Sequence, residues 1–311
     1  MPNFFFHIGF PKTGSTSLQT IFDNSNLNYL GFYVSPKNKI FYKNNDLSYF
    51  FEQAVRFGTD KSFLDSKKSI ESYFTKLHKT SSKDIVLSNE NIIGRILPYD
   101  LPNEIKLSRS LSVLPNDSNV LITIRNLEDL FYSFYKLHLS NGYGECEKYF
   151  FAEINALEKS FGLIESFRLK SIIDKIKEIR SDLSITIVDL SIKSSSEKLH
   201  KLLNLKDIDS KKNESFKLRD INFHLNLNKN FYSGKRFLDW FEIHRVFPNS
   251  NFTDDSKYRL SRSRHLHNTV GEKLIFMGDD KAFRKVFFRS IPDKIKKISM
   301  ENKKYLNASN F

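Results

Sequence analysis

Four short apolar segments, each running into polar residues, set the hydrophobic pattern of the chain. They are nearly continuous rather than alternating, and they are rich in Val, Ile and Phe: FFFHIG (4 to 9), DIVLSNE (84 to 90), NVLITIR (119 to 125) and SITIVDL (184 to 190). This pattern is typical of strands that are buried on both faces of a parallel sheet. We therefore expect four parallel strands.

Segments with helical spacing of their apolar residues separate these strands. Leu18, Ile21 and Phe22 follow the first strand at this spacing, the apolar residues between 127 and 137 follow the third, and LKSIIDKIKEIR (169 to 180) precedes the fourth. Strands that alternate with helices predict βαβ units. The expected fold class is α/β, a doubly wound three-layer fold with a central parallel sheet flanked by helices.

The length of 311 residues favours one large domain spanning 1–311. Residues 193–234 are rich in Lys, Asn and Ser. We expect this segment and residues 245–311 to form helical and loop decoration of that domain. The basic segment 281–307 has helical spacing and is expected to break at Pro292.

The chain carries 49 Lys and Arg against 36 Asp and Glu, a net charge of +13. This excess favours anionic partners, and it also suits a solubilising surface.

Cys146 is the single cysteine, so an intrachain disulfide and a thiolate metal site are excluded. The lone cysteine fits a reducing compartment. Because the sequence shows neither a basic leader nor a long apolar run, we expect a cytoplasmic protein without a transmembrane segment.

The stretch FFFHIGFPKTGSTSLQ (4 to 19) has the chemistry of an anion site. A strand that ends at Gly9 and a helix that begins near Ser15 direct backbone N–H groups and the helix dipole at one point. Lys12 adds a full charge there, and Gly14 allows close approach of the backbone. The following hydroxyls offer further donors: Ser15, Thr16 and Ser17.

The order of residues in this loop differs from that of a nucleoside-triphosphate P-loop, in which Lys directly follows the second Gly. Here Lys12 precedes Gly14, in PKTGSTS. The loop resembles the 5′-phosphosulfate loop of sulfotransferases that use 3′-phosphoadenosine 5′-phosphosulfate (PAPS). This resemblance implies that the α/β fold is a P-loop-like three-layer fold. It also implies that PAPS is the cofactor, that no metal is required and that Lys12 is catalytic. It implies cofactor binding by Lys12, Thr13, Gly14, Ser15, Thr16 and Ser17.

A second segment, VLITIRNLEDLFYSFYKLHLSNG (120 to 142), supports this reading independently. Arg125 stands at the carboxyl end of a predicted strand, and Ser133 follows on the next helix. Ligands of open α/β sheets bind at this edge, so we expect both side chains to face one phosphate beside the first loop. The pair resembles the 3′-phosphate site of the sulfotransferase family.

Transfer to a hydroxyl requires a base that takes the proton during attack. Glu90, at the end of DIVLSNE, resembles the general base of glycan sulfotransferases of the Golgi and bacterial types. His7, in the first strand, is the rival base, and the sequence leaves the choice open. His138 is a candidate for lining the acceptor site.

The resemblance implies a carbohydrate sulfotransferase of bacterial or Golgi type, acting on a glycan or similar hydroxyl-bearing acceptor. The decoration expected at 193–234 and 245–311 would then lie on the acceptor side of the domain. One alternative is a P-loop kinase, for which Asp189 is the best Mg²⁺ ligand. The other is a basic protein that binds nucleic acid or a membrane surface, suggested by the net charge and the basic C-terminal segment. We expect no specific nucleic-acid partner, whereas peripheral membrane contact stays open.

Overall fold

The computed structural model describes residues 2–13, 15–34, 40–42, 51, 53–94, 101–140, 147–190, 192–205 and 280–308. The chain divides into two compact units. The first unit comprises Met1–Asn126, Phe161–Asn213 and Ile298–Phe311, and the second comprises Leu127–Ser160 and Glu214–Lys297. The single domain expected over 1–311 stays a prediction. Cys146 and residues 206–279, which hold most of the predicted decoration, lie outside the described residues.

The strands described in the first unit are β1 (Phe4–Gly9), β2 (Asn28–Leu30), β3 (Phe32–Val34), β4 (Ile40–Tyr42), β5 (Ile85–Ser88), β6 (Asn119–Ile124) and β7 (Ser184–Asp189). A five-stranded parallel sheet has the order β2-β5-β1-β6-β7, and β3 pairs with β4 in antiparallel fashion. The four predicted strands are confirmed. The segment that forms β2 was not predicted, because three residues are too few to show a period.

The described helices are α1 (Ser15–Asn24), α2 (Asp60–Thr80), α3 (Asn103–Ser112), α4 (Leu127–Ser140), α5 (Glu147–Phe161), α6 (Leu169–Ile179), α7 (Lys193–Leu202), α8 (Asp280–Ser290) and α9 (Asp293–Ala308), with a π-helical turn at Gln53–Phe57 and a 3-10 turn at Glu165–Phe167. The expected helices after the first loop, after the third strand and before the fourth are confirmed as α1, α4 and α6. The break at Pro292, between α8 and α9, is also confirmed. No helix in the described ranges combines the length and the hydropathy that crossing a bilayer requires.

Helices cover both faces of the sheet. On one face, strand residues including Phe5 and Val86 pack in one buried cluster with Phe22 of α1 and Leu199 of α7. On the other face, the Phe4 ring meets the edge of Phe74 of α2, with 5.5 Å between ring centroids. Successive strand side chains alternate between faces, which is why neighbouring phenylalanines of β1 reach different helices. The predicted fold class, with its central parallel sheet flanked by helices, is confirmed.

The carboxyl end of β1 lies unusually close to β6. A Cβ atom on Gly9 would stand 2.0 Å from Thr123 Oγ1 and 2.9 Å from the Thr123 carbonyl oxygen. Only glycine avoids this overlap. The residues that follow β1 are therefore held directly beside the end of β6.

The second unit contains α4, α8 and most of α5, joined by an aromatic cluster. The Phe287 ring of α8 lies 4.9 Å from Phe151 and 5.4 Å from Tyr135, centroid to centroid. Arg284 of α8 also donates to the Asp129 carboxylate of α4 over 2.7 Å. These contacts bind α8 to α4 and account for part of the high phenylalanine content.

Candidate functional site

The loop between β1 and α1 forms a tight turn whose ends are fixed by hydrogen bonds. The Phe10 N–H donates to the Thr123 carbonyl over 2.9 Å, and the Thr13 hydroxyl donates to the Phe10 carbonyl over 2.8 Å. Lys12 adopts a φ of 63°, in the left-handed region that non-glycine residues rarely occupy. Such a conformation costs roughly 1–2 kcal/mol, so the surrounding bonds must hold it in place.

Arg125 supplies one of the bonds that hold this turn. It directly follows β6, and its Nη1 donates to the Lys12 carbonyl oxygen over 2.9 Å. The structure thus brings together two of the residues that the sequence assigned to anion binding. Their role as phosphate ligands stays a prediction.

The Lys12 side chain is half-buried and is influenced by two other charges. Burial lowers the pKa of Lys12, the Glu90 carboxylate raises it and the Arg125 guanidinium lowers it, with a net decrease. Removal from water disfavours the ammonium form, whereas a nearby carboxylate favours it. Lys12 therefore interacts with both Glu90 and Arg125, and the three residues follow the carboxyl ends of the neighbouring strands β1, β5 and β6.

Glu90 lies in a turn just after β5 that is anchored from both sides. The Asn89 N–H donates to the His7 carbonyl over 2.9 Å, and the Asn89 side chain accepts from the Asn91 N–H over 3.0 Å. Lys106 of α3 is fully buried, and its Nζ donates to the carbonyls of Asn91 and Gly94, each over 3.0 Å. These bonds fix the backbone on either side of Glu90.

Lys106 was not predicted as a site residue, because an isolated lysine on a helix normally faces solvent. Helical spacing does carry the signal. Leu107 and Ser110 are buried on the same side of α3, so Lys106 falls on the inward face.

His7, the rival base, has no exposed surface. Its Nδ1 lies 2.8 Å from Ser88 Oγ on β5, and its Nε2 lies 3.1 Å from Thr123 Oγ1 on β6. Burial lowers the pKa of His7 to about 3. Both ring nitrogens are thus engaged by hydroxyls inside the sheet, which favours a structural role over proton transfer with an acceptor.

Other predicted site residues are placed only in part. Ser15, Thr16 and Ser17 form the first turn of α1, whereas Gly14 and the side chains of these three residues lie outside the described part of the chain. Ser133 and His138 lie on α4, in the second unit, and the His138 side chain is not among those described. The roles assigned to all these residues stay predictions.

Asp189, the metal ligand of the kinase alternative, is the last residue of β7 and is half-buried. Within the ranges that the structure describes, no group of three or more His, Cys, Asp or Glu side chains has an arrangement suited to a metal ion.

No family model and no curated protein matches the chain. One solved structure with detectable similarity is the sulfotransferase domain from the curacin biosynthetic pathway. The identity is 13%, the match covers 84% of this chain and 97% of that domain, and the TM-score is 0.37. At this TM-score the similarity assigns neither a family nor an activity to the chain.

Proposed function

We propose that the protein is a sulfotransferase that moves the sulfuryl group of PAPS to a hydroxyl of an acceptor, with a glycan or a similar hydroxyl-bearing molecule as the acceptor. The observation that carries the proposal is the grouping of Lys12, Arg125 and Glu90. These two cations and one carboxylate follow three adjacent parallel strands, at the edge where open α/β sheets bind ligands, and Lys12 interacts with both of the others.

The charges of this group suit a sulfuryl donor. Lys12 and Arg125 are cations in a partly buried position, where their attraction for an anion is stronger than in water. PAPS is highly anionic, and the order Lys12 before Gly14 distinguishes the loop from one built for a nucleoside triphosphate. In this proposal Lys12 and the start of α1 bind the 5′-phosphosulfate, and Arg125 binds the 3′-phosphate.

When bound, PAPS supplies a sulfuryl group attached to a phosphate leaving group. Glu90 takes the proton of the acceptor hydroxyl while the hydroxyl oxygen bonds to sulfur and the bond from sulfur to the phosphate oxygen breaks. Lys12 stabilises the negative charge that develops on the bridging and sulfuryl oxygens. The products are the sulfated acceptor and adenosine 3′,5′-bisphosphate, with the proton left on Glu90.

Glu90 is preferred to His7 as the base for a geometric reason. Glu90 is half-buried and interacts electrostatically with Lys12, whereas His7 has no exposed surface and both its ring nitrogens are engaged. A base must reach the proton that it removes, and this requirement comes before its pKa.

The test is a turnover assay with purified protein, PAPS and a panel of hydroxyl-bearing glycans, in which release of adenosine 3′,5′-bisphosphate is followed. We expect acceptor-dependent release that persists in EDTA and falls about 10²- to 10³-fold in Lys12→Ala. Lys83→Ala, which removes an exposed lysine from the opposite end of β5, is the matched control and should retain full turnover. Phosphoryl transfer from ATP that depends on Mg²⁺, without PAPS turnover, would establish the kinase alternative instead.

A further inference from the structure

A chain of buried hydrogen bonds joins the Lys12 turn to β1, β5 and β6. From Phe10 O it passes through the Thr13 hydroxyl at 2.8 Å, the Thr123 hydroxyl at 3.3 Å and His7 Nε2 at 3.1 Å. It continues from His7 Nδ1 to Ser88 Oγ at 2.8 Å, and Ser88 Oγ also bonds to the side chains of Gln19 and Tyr29. Each of these side chains is at least nine-tenths buried: His7, Thr13, Gln19, Tyr29, Ser88 and Thr123.

The donor and acceptor roles along this series of hydrogen bonds follow from the Phe10 carbonyl at its end. The Phe10 carbonyl can only accept, so the Thr13 hydroxyl proton is used in the bond to it. The Thr13 oxygen must then accept from the Thr123 hydroxyl if these two oxygens are hydrogen-bonded. The Thr123 oxygen in turn requires a donor, which is the Nε2–H of His7.

The hydrogen bond at Nδ1, on the other side of the His7 imidazole, is consistent with these donor and acceptor roles. With its proton on Nε2, a neutral His7 accepts at Nδ1 from the Ser88 hydroxyl, and Ser88 Oγ accepts from Gln19 Nε2–H over 3.2 Å. The opposite tautomer would take the Thr123 proton at Nε2. The Thr13 and Thr123 oxygens would then face each other at 3.3 Å without a proton between them, which is unfavourable in a buried site.

The same residue is linked to the Glu90 turn through its backbone. The His7 carbonyl accepts from the Asn89 N–H over 2.9 Å, and Asn89 directly precedes Glu90. His7 therefore connects two turns, one that carries Lys12 and one that carries Glu90.

We propose that His7, as the neutral Nε2–H tautomer, is a positioning residue that holds the Lys12 turn and the Glu90 turn in a fixed arrangement. The assignment of the tautomer rests on the hydrogen bonds alone. The consequence for turnover rests on the sulfotransferase function proposed above.

The tautomer is tested by long-range proton–nitrogen NMR of the full-length protein with ¹⁵N-labelled histidine, the His7 signals being identified by their loss in His7→Gln. We expect the proton on Nε2 and an unprotonated Nδ1 at neutral pH. A proton on Nδ1, or on both nitrogens, would overturn the proposal. This result is independent of whether the protein has sulfotransferase activity.

The positioning role is tested with two substitutions that differ in hydrogen bonding. His7→Gln keeps a donor group and an acceptor group in the side chain, whereas His7→Phe fills the space with neither. We expect His7→Phe to lower kcat about 10- to 100-fold with little change in the KM of PAPS, and His7→Gln to recover a large part of the loss. Ser118→Ala, which removes a buried hydroxyl just before β6, at the end of the strand opposite Arg125, is the matched control and should leave kcat unchanged.

If His7 were the base, His7→Gln would be as inactive as His7→Phe. This result would contradict the positioning role. If His7→Phe does not fold, Thr123→Val replaces it, because this change breaks the chain between His7 and Thr13 and leaves the imidazole in place. Normal kcat in Thr123→Val would contradict the proposal. Absence of PAPS turnover in the unmodified protein would remove the proposed function and leave the NMR result standing.

Discussion

Arg125 and Lys12 meet through the backbone: the guanidinium Nη1 donates to the Lys12 carbonyl oxygen over 2.9 Å. The bond joins residue 125, just after β6, to the turn that follows β1. Through this bond the Arg125 guanidinium supports the strained backbone of Lys12. We expect this bond to fix the separation of the two positive charges before any anion binds.

Arg125→Lys should weaken binding of adenosine 3′,5′-bisphosphate although the charge is kept. Lysine lacks the planar fork that can bond the Lys12 carbonyl and a phosphate at the same time. Loss of a hydrogen bond from a charged donor is worth about 1.5–3 kcal/mol, or about 10- to 150-fold in affinity. Arg180→Lys is the matched control, since Arg180 also donates to backbone carbonyls of the first unit. Equal affinity of Arg125→Lys and the unmodified protein would disprove the role of the fork.

Lys12→Gly should be more stable than Lys12→Ala. Both changes remove the ammonium, but only glycine relaxes the positive φ of 63°. The relief of roughly 1–2 kcal/mol is reduced by the greater freedom of glycine in the unfolded chain, which leaves a difference of about 0.5–1 kcal/mol. Urea unfolding of the two variants measures it. Equal midpoints, or a higher midpoint for alanine, would show that the turn is not strained. Both variants should lower turnover by the same amount, about 10²- to 10³-fold, because both lack the ammonium.

Glu90→Gln should lower turnover about 10²- to 10⁴-fold, as expected for a lost general base. Binding of adenosine 3′,5′-bisphosphate at neutral pH should be retained, because the two cations remain. The comparison of kcat with the dissociation constant checks this. Turnover within a few fold of the unmodified protein would exclude Glu90 as the base.

The same variant should change the pH dependence of nucleotide binding. The Glu90 carboxylate raises the pKa of Lys12, so its removal lowers that pKa further. Affinity declines as pH rises through the pKa of Lys12, since the ammonium form is lost. In Glu90→Gln the decline should therefore begin at a lower pH, measured by calorimetry between about pH 7 and pH 10. Glu71→Gln, on the surface of α2, is the control, and superimposed curves for all three proteins would show that Glu90 and Lys12 do not interact.

Lys106→Met should destabilise the fold and impair turnover. Methionine keeps the unbranched shape but leaves the carbonyls of Asn91 and Gly94 without this donor. An unsatisfied buried polar group costs about 1–3 kcal/mol, and the Glu90 turn loses its anchor. Thermal unfolding and kcat measure the two effects. A variant with unchanged melting temperature and kcat would show that Lys106 does not position the turn.

Local patterns were sufficient to predict much of the sheet. The apolar runs of β1, β5, β6 and β7 show directly which strands are buried on both faces, and their ends indicate where Lys12, Glu90 and Arg125 meet. β2 escaped prediction because Asn28–Leu30 is too short to show a period.

Contacts between distant residues could not be read from local patterns. The bond from Arg125 to the Lys12 carbonyl and the burial of Lys106 both depend on how separate strands and helices approach each other. The positive φ at Lys12 could not be predicted either. Glycine is the residue expected in that conformation, and glycines stand nearby at positions 9 and 14. The roles of Ser133 and the hydroxyls of α1 stay predictions.

The most direct test of the central claim is calorimetric titration of the purified protein with adenosine 3′,5′-bisphosphate, with ATP and Mg²⁺ titrated in parallel. The grouping of Lys12, Arg125 and Glu90 predicts a dissociation constant of roughly micromolar size for the bisphosphate, with binding strongly reduced in Arg125→Ala. Binding of ATP with Mg²⁺ and none of the bisphosphate would mean that the loop holds a triphosphate and would contradict the sulfotransferase proposal.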